Sequence, residues 1–92
     1  MRVTVEMSLY PLQGAPIEKI LSFIDTISDD ARLEVVVNQM STQLRGELGA
    51  VMELLEAAMH RSFAGGGPQA LVVKFLNADL AIGEPPVLEL GG

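Results

Sequence analysis

Two groups of polar side chains in this sequence have the types needed to hold a small ligand. Glu6, Ser8 and Tyr10 alternate with apolar residues, and alternation along a strand places them on one face. The second group interrupts an apolar run in the stretch VVVNQMSTQLRG, where Asn38 and Thr42 flank residues 39–41. Carboxylate, hydroxyl and amide groups can bind a polar ligand, but Asn and Thr also serve as turn residues that hydrogen-bond to the backbone. Both uses of Asn38 and Thr42 are open at this point.

Few residues have types suited to catalysis or to metal binding. His60 is the only histidine and the chain has no cysteine, so the sequence offers neither a nucleophile paired with a base nor a thiolate metal site. His60 follows Glu56 by four residues, which favours an exposed ion pair on a helix over a metal ligand. The triglycine that begins at Gly65 follows a predicted helix instead of preceding one, so it indicates helix termination and not a phosphate loop. We therefore expect a non-enzymatic protein with no catalytic residue, no metal ligand and no cofactor.

Composition and charge narrow the possible partners. The 92 residues are 49% hydrophobic, which suits a single domain over 1–92, with its core at about 2–79 and a tail at 80–92. Twelve acidic residues against six basic ones give a net charge of −6, which opposes binding to nucleic acid or to an anionic membrane. Met1 leads directly into a strand-like segment, and no run of about eighteen apolar residues occurs, so neither a signal peptide nor a membrane span is predicted. A cytoplasmic location is the resulting expectation.

Hydrophobic periodicity predicts two strand–helix–strand halves. Apolar residues alternate over 3–9, which indicates a strand, and Pro16 then suits the first turn of a helix that ends near Ser28. The expected apolar stripe of this helix is Ile17, Ile20, Leu21, Ile24 and Ile27. The remaining predicted elements are strands at 33–37, 42–47 and 71–76, a helix at 48–64, and a strand-like fragment at 87–90.

This order predicts an α+β, ferredoxin-like βαββαβ fold, with a four-stranded antiparallel sheet, both helices on one face, and a C-terminal extension. The other sheet face then has no helix to cover it, and it mixes aliphatic with polar side chains. Its expected members are Glu6, Ser8, Tyr10, Val36, Asn38, Val72, Lys74 and Leu76. A second copy packed sheet to sheet would cover the aliphatic members and leave the polar ones to face each other or a small molecule.

Several functions found on ferredoxin-like folds do not suit this sequence. The loop after the first strand lacks the Cys-x-x-Cys of a metallochaperone, and no arginine lies between Tyr10 and Ile27 to form an acylphosphatase-type phosphate cradle. Three Phe, one Tyr and a negative net charge argue against an RNA-recognition domain, which needs basic charge and stacking aromatics. The fold itself decides no function.

Several segments of the chain resemble the YkoF-like thiamine-binding family of small ferredoxin-like proteins, also called the MTH-type family. The matching segments are VEMSLYPL in the first strand, NQMSTQLRGEL in the hairpin, and VMELLEAAMHRSFAGG followed by ALVVKFLNAD. They cover residues 5–12 and most of 38–79 in the family's order. The chain departs from the family's pattern at Arg45, where an acid is common, and at Leu80, where an arginine often follows the aspartate. The first loop, Gln13-Gly14-Ala15-Pro16, also differs from the small-hydroxyl sequence expected for the family.

The resemblance implies sheets that pack face to face in dimers or tandem repeats, and a site for thiamine or its hydroxymethylpyrimidine part. Such a ligand combines a cationic thiazolium with an aminopyrimidine, so it needs carboxylate, hydroxyl and amide partners beside apolar walls. The ligand-binding residues that it implies are Glu6, Ser8, Tyr10, Asn38 and Thr42. We expect a homodimer or homotetramer, formed through the open sheet face and the C-terminal strand, that binds a small cationic or pyrimidine ligand. The alternative is a structural or regulatory module that associates with protein without any ligand.

Overall fold

The computed structural model describes residues 1–65 and 67–86, which form a four-stranded antiparallel sheet with two helices on one face. The elements are β1 (Arg2–Pro11), α1 (Pro16–Ser28), β2 (Glu34–Val37), β3 (Thr42–Glu47), α2 (Leu48–Gly65) and β4 (Gln69–Leu76). The ferredoxin-like fold is confirmed, with element bounds close to those predicted. The strand-like fragment expected at 87–90 lies outside the described residues.

The central strand β1 extends beyond the end of its neighbour β3. The sheet order is β2-β3-β1-β4, so β1 is central while β2 and β4 are the edges. β1 pairs with β3 only as far as Met7, opposite Thr42, but it pairs with β4 as far as Pro11, opposite Gln69. Beyond Met7, β1 therefore has a strand neighbour on its β4 side only.

The hydrophobic core lies between the sheet and the two helices. Alternation along β1 directs its odd-numbered apolar side chains toward the helices, and its even-numbered side chains toward the open face. The largest fully buried side chains are Val5, Met7, Ile27, Leu44 and Val51. In the described part of the chain, no helix is long and apolar enough to cross a bilayer.

α1 buries a different stripe from the one that its aliphatic residues predict. Phe23 and Ile27 are buried, whereas Ile17 and Leu21 are exposed. Because each residue turns a helix by about 100°, a stripe through Ile20, Phe23 and Ile27 faces the sheet and leaves the other two on the surface. The expectation that Ile17 and Leu21 belong to the core stripe was wrong, because the bulky Phe23 occupies its centre.

An exposed ion-pair network connects the loop before β2 to α2. Arg32 lies 2.7 Å from a carboxylate oxygen of Asp30 and 3.0 Å from one of Glu53. The hydrogen bonds from Arg32 lower the pKa of Asp30 to about 2. None of these residues lines the clefts described below.

Candidate ligand-binding site

A cleft of about 250 Å³, here called the hairpin cleft, opens where β1 continues past the end of β3. It is bounded by the end of β1, by α1, and by the β2–β3 hairpin. Ile20, Phe23 and Ile24 of α1 form its apolar wall. The predicted ligand-binding residues that line it are Ser8, Tyr10, Asn38 and Thr42.

The main chain of Leu9 adds a hydrogen-bond donor and an acceptor to the hairpin cleft. In an antiparallel ladder the N–H and C=O of one residue point to the same neighbouring strand, and the direction alternates along the chain. Leu12 donates its N–H to the Pro68 oxygen on the β4 side at 3.0 Å, and Leu48 donates to the Met1 oxygen on the β3 side at 2.9 Å. Odd-numbered residues of β1 therefore direct their polar groups toward β3. At Leu9 β3 has already ended, so these groups face the cleft.

The hairpin turn is closed by the main chain and by Ser8. The N–H of Asn38 donates to the Ser41 oxygen at 2.9 Å, and the Ser8 hydroxyl donates to the Met40 oxygen at 3.3 Å. Across residues 1–65 and 67–86, the side chains of Tyr10, Asn38 and Thr42 form no hydrogen bond. The Asn38 and Thr42 side chains are therefore not required for the turn, and they are available to a ligand.

The hairpin cleft joins residues from opposite faces of the sheet. Thr42 pairs with Met7 and is buried on the helix side, whereas Ser8 and Tyr10 lie on the open side. Thr42 lines the same cleft as Ser8 and Tyr10 because the hairpin cleft lies at the end of β3, where both faces of β1 are accessible. Sequence alternation alone does not reveal this juxtaposition.

Glu6, the fifth predicted residue, lies on the open face outside the hairpin cleft. One of its carboxylate oxygens accepts a hydrogen bond from the Ser41 hydroxyl at 3.2 Å, and the other lies 3.4 Å from the Lys74 ammonium. Ser41 also lines the hairpin cleft, so it connects Glu6 to the other four residues. The structure thus brings four predicted residues together and places Glu6 next to them.

The segment after β4, residues 78–83, crosses the open face and is here called the strap. The Thr4 hydroxyl fastens it to β1, since it donates to the Ala78 oxygen at 2.7 Å and accepts the N–H of Leu80 at 2.9 Å. Farther along, Gly83 lies against Glu34 of β2: a Cβ atom added to this glycine would be only 2.6 Å from a Glu34 oxygen. The strap therefore reaches the β2 edge. It therefore runs across the sheet at the end remote from the hairpin.

Arg45 fastens the strap to β3. Its guanidinium donates to the Leu80 oxygen at 2.8 Å and to Glu34 at 2.5 Å, and lies 3.7 Å from Asp79. Arg45 and Leu80 are two of the positions at which the sequence departs from the family's pattern. The structure shows that these two residues contact each other.

A second cleft, of about 770 Å³, lies between the open face and residues 80–86 and is here called the strap cleft. Thr4, Glu6, Gln43 and Lys74 provide polar groups from the sheet, and Leu80 is among the apolar residues that face them. This cleft could not be predicted from the sequence, because residues 80–86 have no periodic pattern. Glu6 borders this cleft and approaches the hairpin cleft through Ser41.

The sequence analysis did not identify Ser41, Gln43 or the main chain of Leu9 as groups that line the two clefts. Ser41 belongs to the polar hairpin stretch, so its position between the candidate residues Asn38 and Thr42 was an available signal. Gln43 pairs with Glu6 on the open face, and a prediction of this position would have needed the register of β1 and β3. The contribution of Leu9 required the relative lengths of these strands.

His60 lies away from both clefts. It is exposed on α2, with its Nε2 atom 3.9 Å from a Glu56 oxygen, as the spacing of four predicted. Within the described residues, no group of three or more His, Cys, Asp or Glu side chains could hold a metal ion.

Three solved structures share this fold at low sequence identity. A hypothetical protein from Methanocaldococcus jannascii is 21% identical, with a TM-score of 0.74 over 85% of this chain and 81% of that chain. A Thermotoga maritima protein provisionally assigned to thiamine biosynthesis or salvage is 19% identical, with a TM-score of 0.74 over 95% and 91%. A domain of unknown function from Bacillus cereus is 19% identical, with a TM-score of 0.72 over 84% and 76%.

A comparison with family models confirms the resemblance found in the sequence segments. No curated protein matches the chain. The model of the YKOF-related family matches residues 2–75, which include both helices and all four strands except Leu76, the last residue of β4. The chain therefore belongs to the YKOF-related family.

Proposed function

We propose that this protein binds thiamine, or its hydroxymethylpyrimidine part, in the hairpin cleft, and that it acts as a carrier or sensor and not as an enzyme. The observation that carries the proposal is the early end of β3, which places the main chain of Leu9 beside the unpaired side chains of Asn38 and Thr42. Membership of the YKOF-related family, and the provisional assignment of the T. maritima protein to thiamine metabolism, support this ligand class.

The groups in the hairpin cleft are complementary to an aminopyrimidine. Such a ring presents an acceptor nitrogen next to an amino donor, and the N–H and C=O of Leu9 offer the matching donor and acceptor side by side. Asn38 and Thr42 add an amide and a hydroxyl for the remaining polar atoms. Ile20 and Phe23 supply an apolar surface for the face of the ring.

The size of the cleft suggests how a two-ring ligand would be placed. A volume of about 250 Å³ suits one substituted ring, so the thiazolium of thiamine would lie outside, toward the open face. There the carboxylate of Glu6, which lies 3.4 Å from the Lys74 ammonium, would exchange that contact for one with the thiazolium, and the net charge of −6 acts in the same direction. The lone histidine lies on α2 away from this position, which supports binding without catalysis.

Calorimetric titration with hydroxymethylpyrimidine and with thiamine tests the site. We expect Thr42→Val to weaken both ligands about tenfold, because it removes one hydrogen bond while it keeps the side-chain shape. Thr26→Val is the matched control: its hydroxyl bonds only to the Ser22 oxygen on α1, so affinity should not change. Absence of heat with either ligand at millimolar concentration would contradict the proposal.

A second variant tests the placement of the two rings. Glu6→Gln should weaken thiamine but leave hydroxymethylpyrimidine unchanged, since only the former carries a cation. Equal loss for both ligands would mean that the pyrimidine contacts Glu6, and the proposed orientation would be wrong.

We further propose that a second copy covers the hairpin end of the open face. The strap already covers the other end, whereas Tyr10 and Val72 remain 53% and 52% exposed. A facing sheet would bury them and would also cover the mouth of the hairpin cleft, where Met40 is exposed.

Sedimentation of Val72→Glu tests this interface. We expect the mass of the particle to fall by half, because a buried charge without a partner opposes association. Leu21→Glu adds the same charge at an exposed residue of α1 and should leave the mass unchanged. An unchanged mass for Val72→Glu would contradict the interface, and association without binding of either ligand would favour the protein-interaction module instead.

A further inference from the structure

The described residues that line the hairpin cleft carry no charged side chain. Phosphate groups in proteins are bound by charge-assisted hydrogen bonds from arginine or lysine, or by the free N–H groups in the first turn of a helix. α1 contributes only Ile20, Phe23 and Ile24 to the cleft, and these lie beyond its first turn. The hairpin cleft therefore offers a neutral ring hydroxyl and amide partners, but it offers a phosphate no cation.

The cations on α1, β3 and β4 already have partners. The Lys74 ammonium lies 3.4 Å from one carboxylate oxygen of Glu6 on the open face. Lys19 donates to the main-chain oxygen of Gln13 at 2.7 Å, and Arg45 is directed to the strap. An anion at the cleft would have to take one of these cations from its partner.

Glu6 places a negative charge where the hairpin cleft meets the open face. Its second carboxylate oxygen accepts the hydroxyl of Ser41 at 3.2 Å, and Ser41 lines the cleft. In hydroxymethylpyrimidine, the carbon that carries the hydroxyl is the one that carries the thiazolium in thiamine. In the proposed orientation this carbon points toward Glu6, so a phosphate on it would lie beside a carboxylate.

We infer that the hairpin cleft takes the free alcohol of its pyrimidine ligand and rejects the phosphate ester, and that Glu6 sets this selectivity. The inference rests on the proposed function, because it uses the same orientation of the ring. A phosphate ester carries between one and two negative charges at neutral pH, and these are repelled by the carboxylate. Phosphoryl transfer to the alcohol would therefore weaken binding, so the protein would hold the form that such a reaction consumes.

Calorimetric titration with hydroxymethylpyrimidine and with its phosphate ester tests the inference. At an ionic strength of about 0.01 M, where the Debye length is about 30 Å, we expect the ester to bind about tenfold more weakly than the alcohol. At about 1 M, where this length is about 3 Å, the difference should largely disappear. Equal affinities at low ionic strength would overturn the inference. Absence of binding of the alcohol would overturn the proposed function, and the inference with it.

Glu6→Gln is the matching variant, because it removes the carboxylate and keeps the side-chain shape. The ester should gain about tenfold in affinity at low ionic strength, since the repelling charge is gone and the Lys74 ammonium is released. Glu56→Gln is the control, because it makes the same change in net charge on α2, away from both clefts. An equal gain in the two variants, or no gain in Glu6→Gln, would overturn the inference, because net charge or shape would then explain the rejection.

Lys74→Gln tests the same ion pair from the opposite side. Removal of the ammonium leaves the Glu6 carboxylate without its cation. The ester should therefore bind several-fold more weakly than it binds to the wild type, while thiamine binds more tightly. Tighter binding of the ester to this variant would contradict the role of Glu6.

Discussion

Replacement of Leu44 by alanine is expected to lower the free energy of unfolding by about 2–5 kcal/mol. Leu44 is completely buried in β3, where it pairs with Val5 and packs beneath the helices. Truncation removes apolar contacts and leaves a cavity, because β3 is held between two strands and cannot close around the gap. Urea denaturation followed by circular dichroism measures the difference.

Leu21→Ala is the matched control for this change. It removes the same atoms from an exposed position on α1, so the free energy of unfolding should change by about 0.5 kcal/mol or less. Similar losses for Leu44→Ala and Leu21→Ala would contradict the assignment of the core stripes.

The Thr4→Val variant should lose about 1–3 kcal/mol of stability and release the strap. The Thr4 hydroxyl both donates to Ala78 and accepts from Leu80, so valine leaves two main-chain groups of the strap without partners. Urea denaturation gives the loss in stability, and faster hydrogen exchange of the Leu80 amide reports release of the strap.

Thr42→Val is the control for Thr4→Val. It separates the stability lost with the hydrogen bonds of Thr4 from the stability lost by changing a buried threonine. Thr4 and Thr42 are both 7% exposed, but in the described structure only the Thr4 hydroxyl is hydrogen-bonded. We therefore expect Thr42→Val to leave stability within about 0.5 kcal/mol of the wild type. An equal loss in the two variants would show that the hydroxyl of Thr4 does not hold the strap.

The sequence predicted the fold well because its strands and helices have clear periods. β3 was placed correctly at Thr42–Glu47, since polar and apolar residues alternate there over the full strand. The error in α1 has a physical origin: its isoleucines and leucine outnumber what one stripe can bury, and the orientation of the helix is set by packing of Phe23 against the sheet.

The candidate site could be predicted only in part. Residue type identified Ser8, Tyr10, Asn38 and Thr42, all of which line one cleft. The hairpin cleft exists because β1 extends beyond the end of β3. The relative length of two strands results from pairing between segments that are distant in sequence. The strap is held by hydrogen bonds to the side chains of Thr4 and Arg45, and isolated contacts of this kind leave no periodic signal in the sequence.

In the proposed binding mode, the early end of β3 would make ligand recognition tolerant of many side-chain substitutions. If a ligand takes the place of the missing strand residues opposite Leu9, much of its binding is to the main chain, which every amino-acid type supplies. Substitutions of side chains that line the hairpin cleft would then change which of several related rings binds best. The ability to bind a ring would persist. An insertion that lengthened β3 by two residues would fill the same space, so a change in strand length would abolish binding where many substitutions would only adjust it.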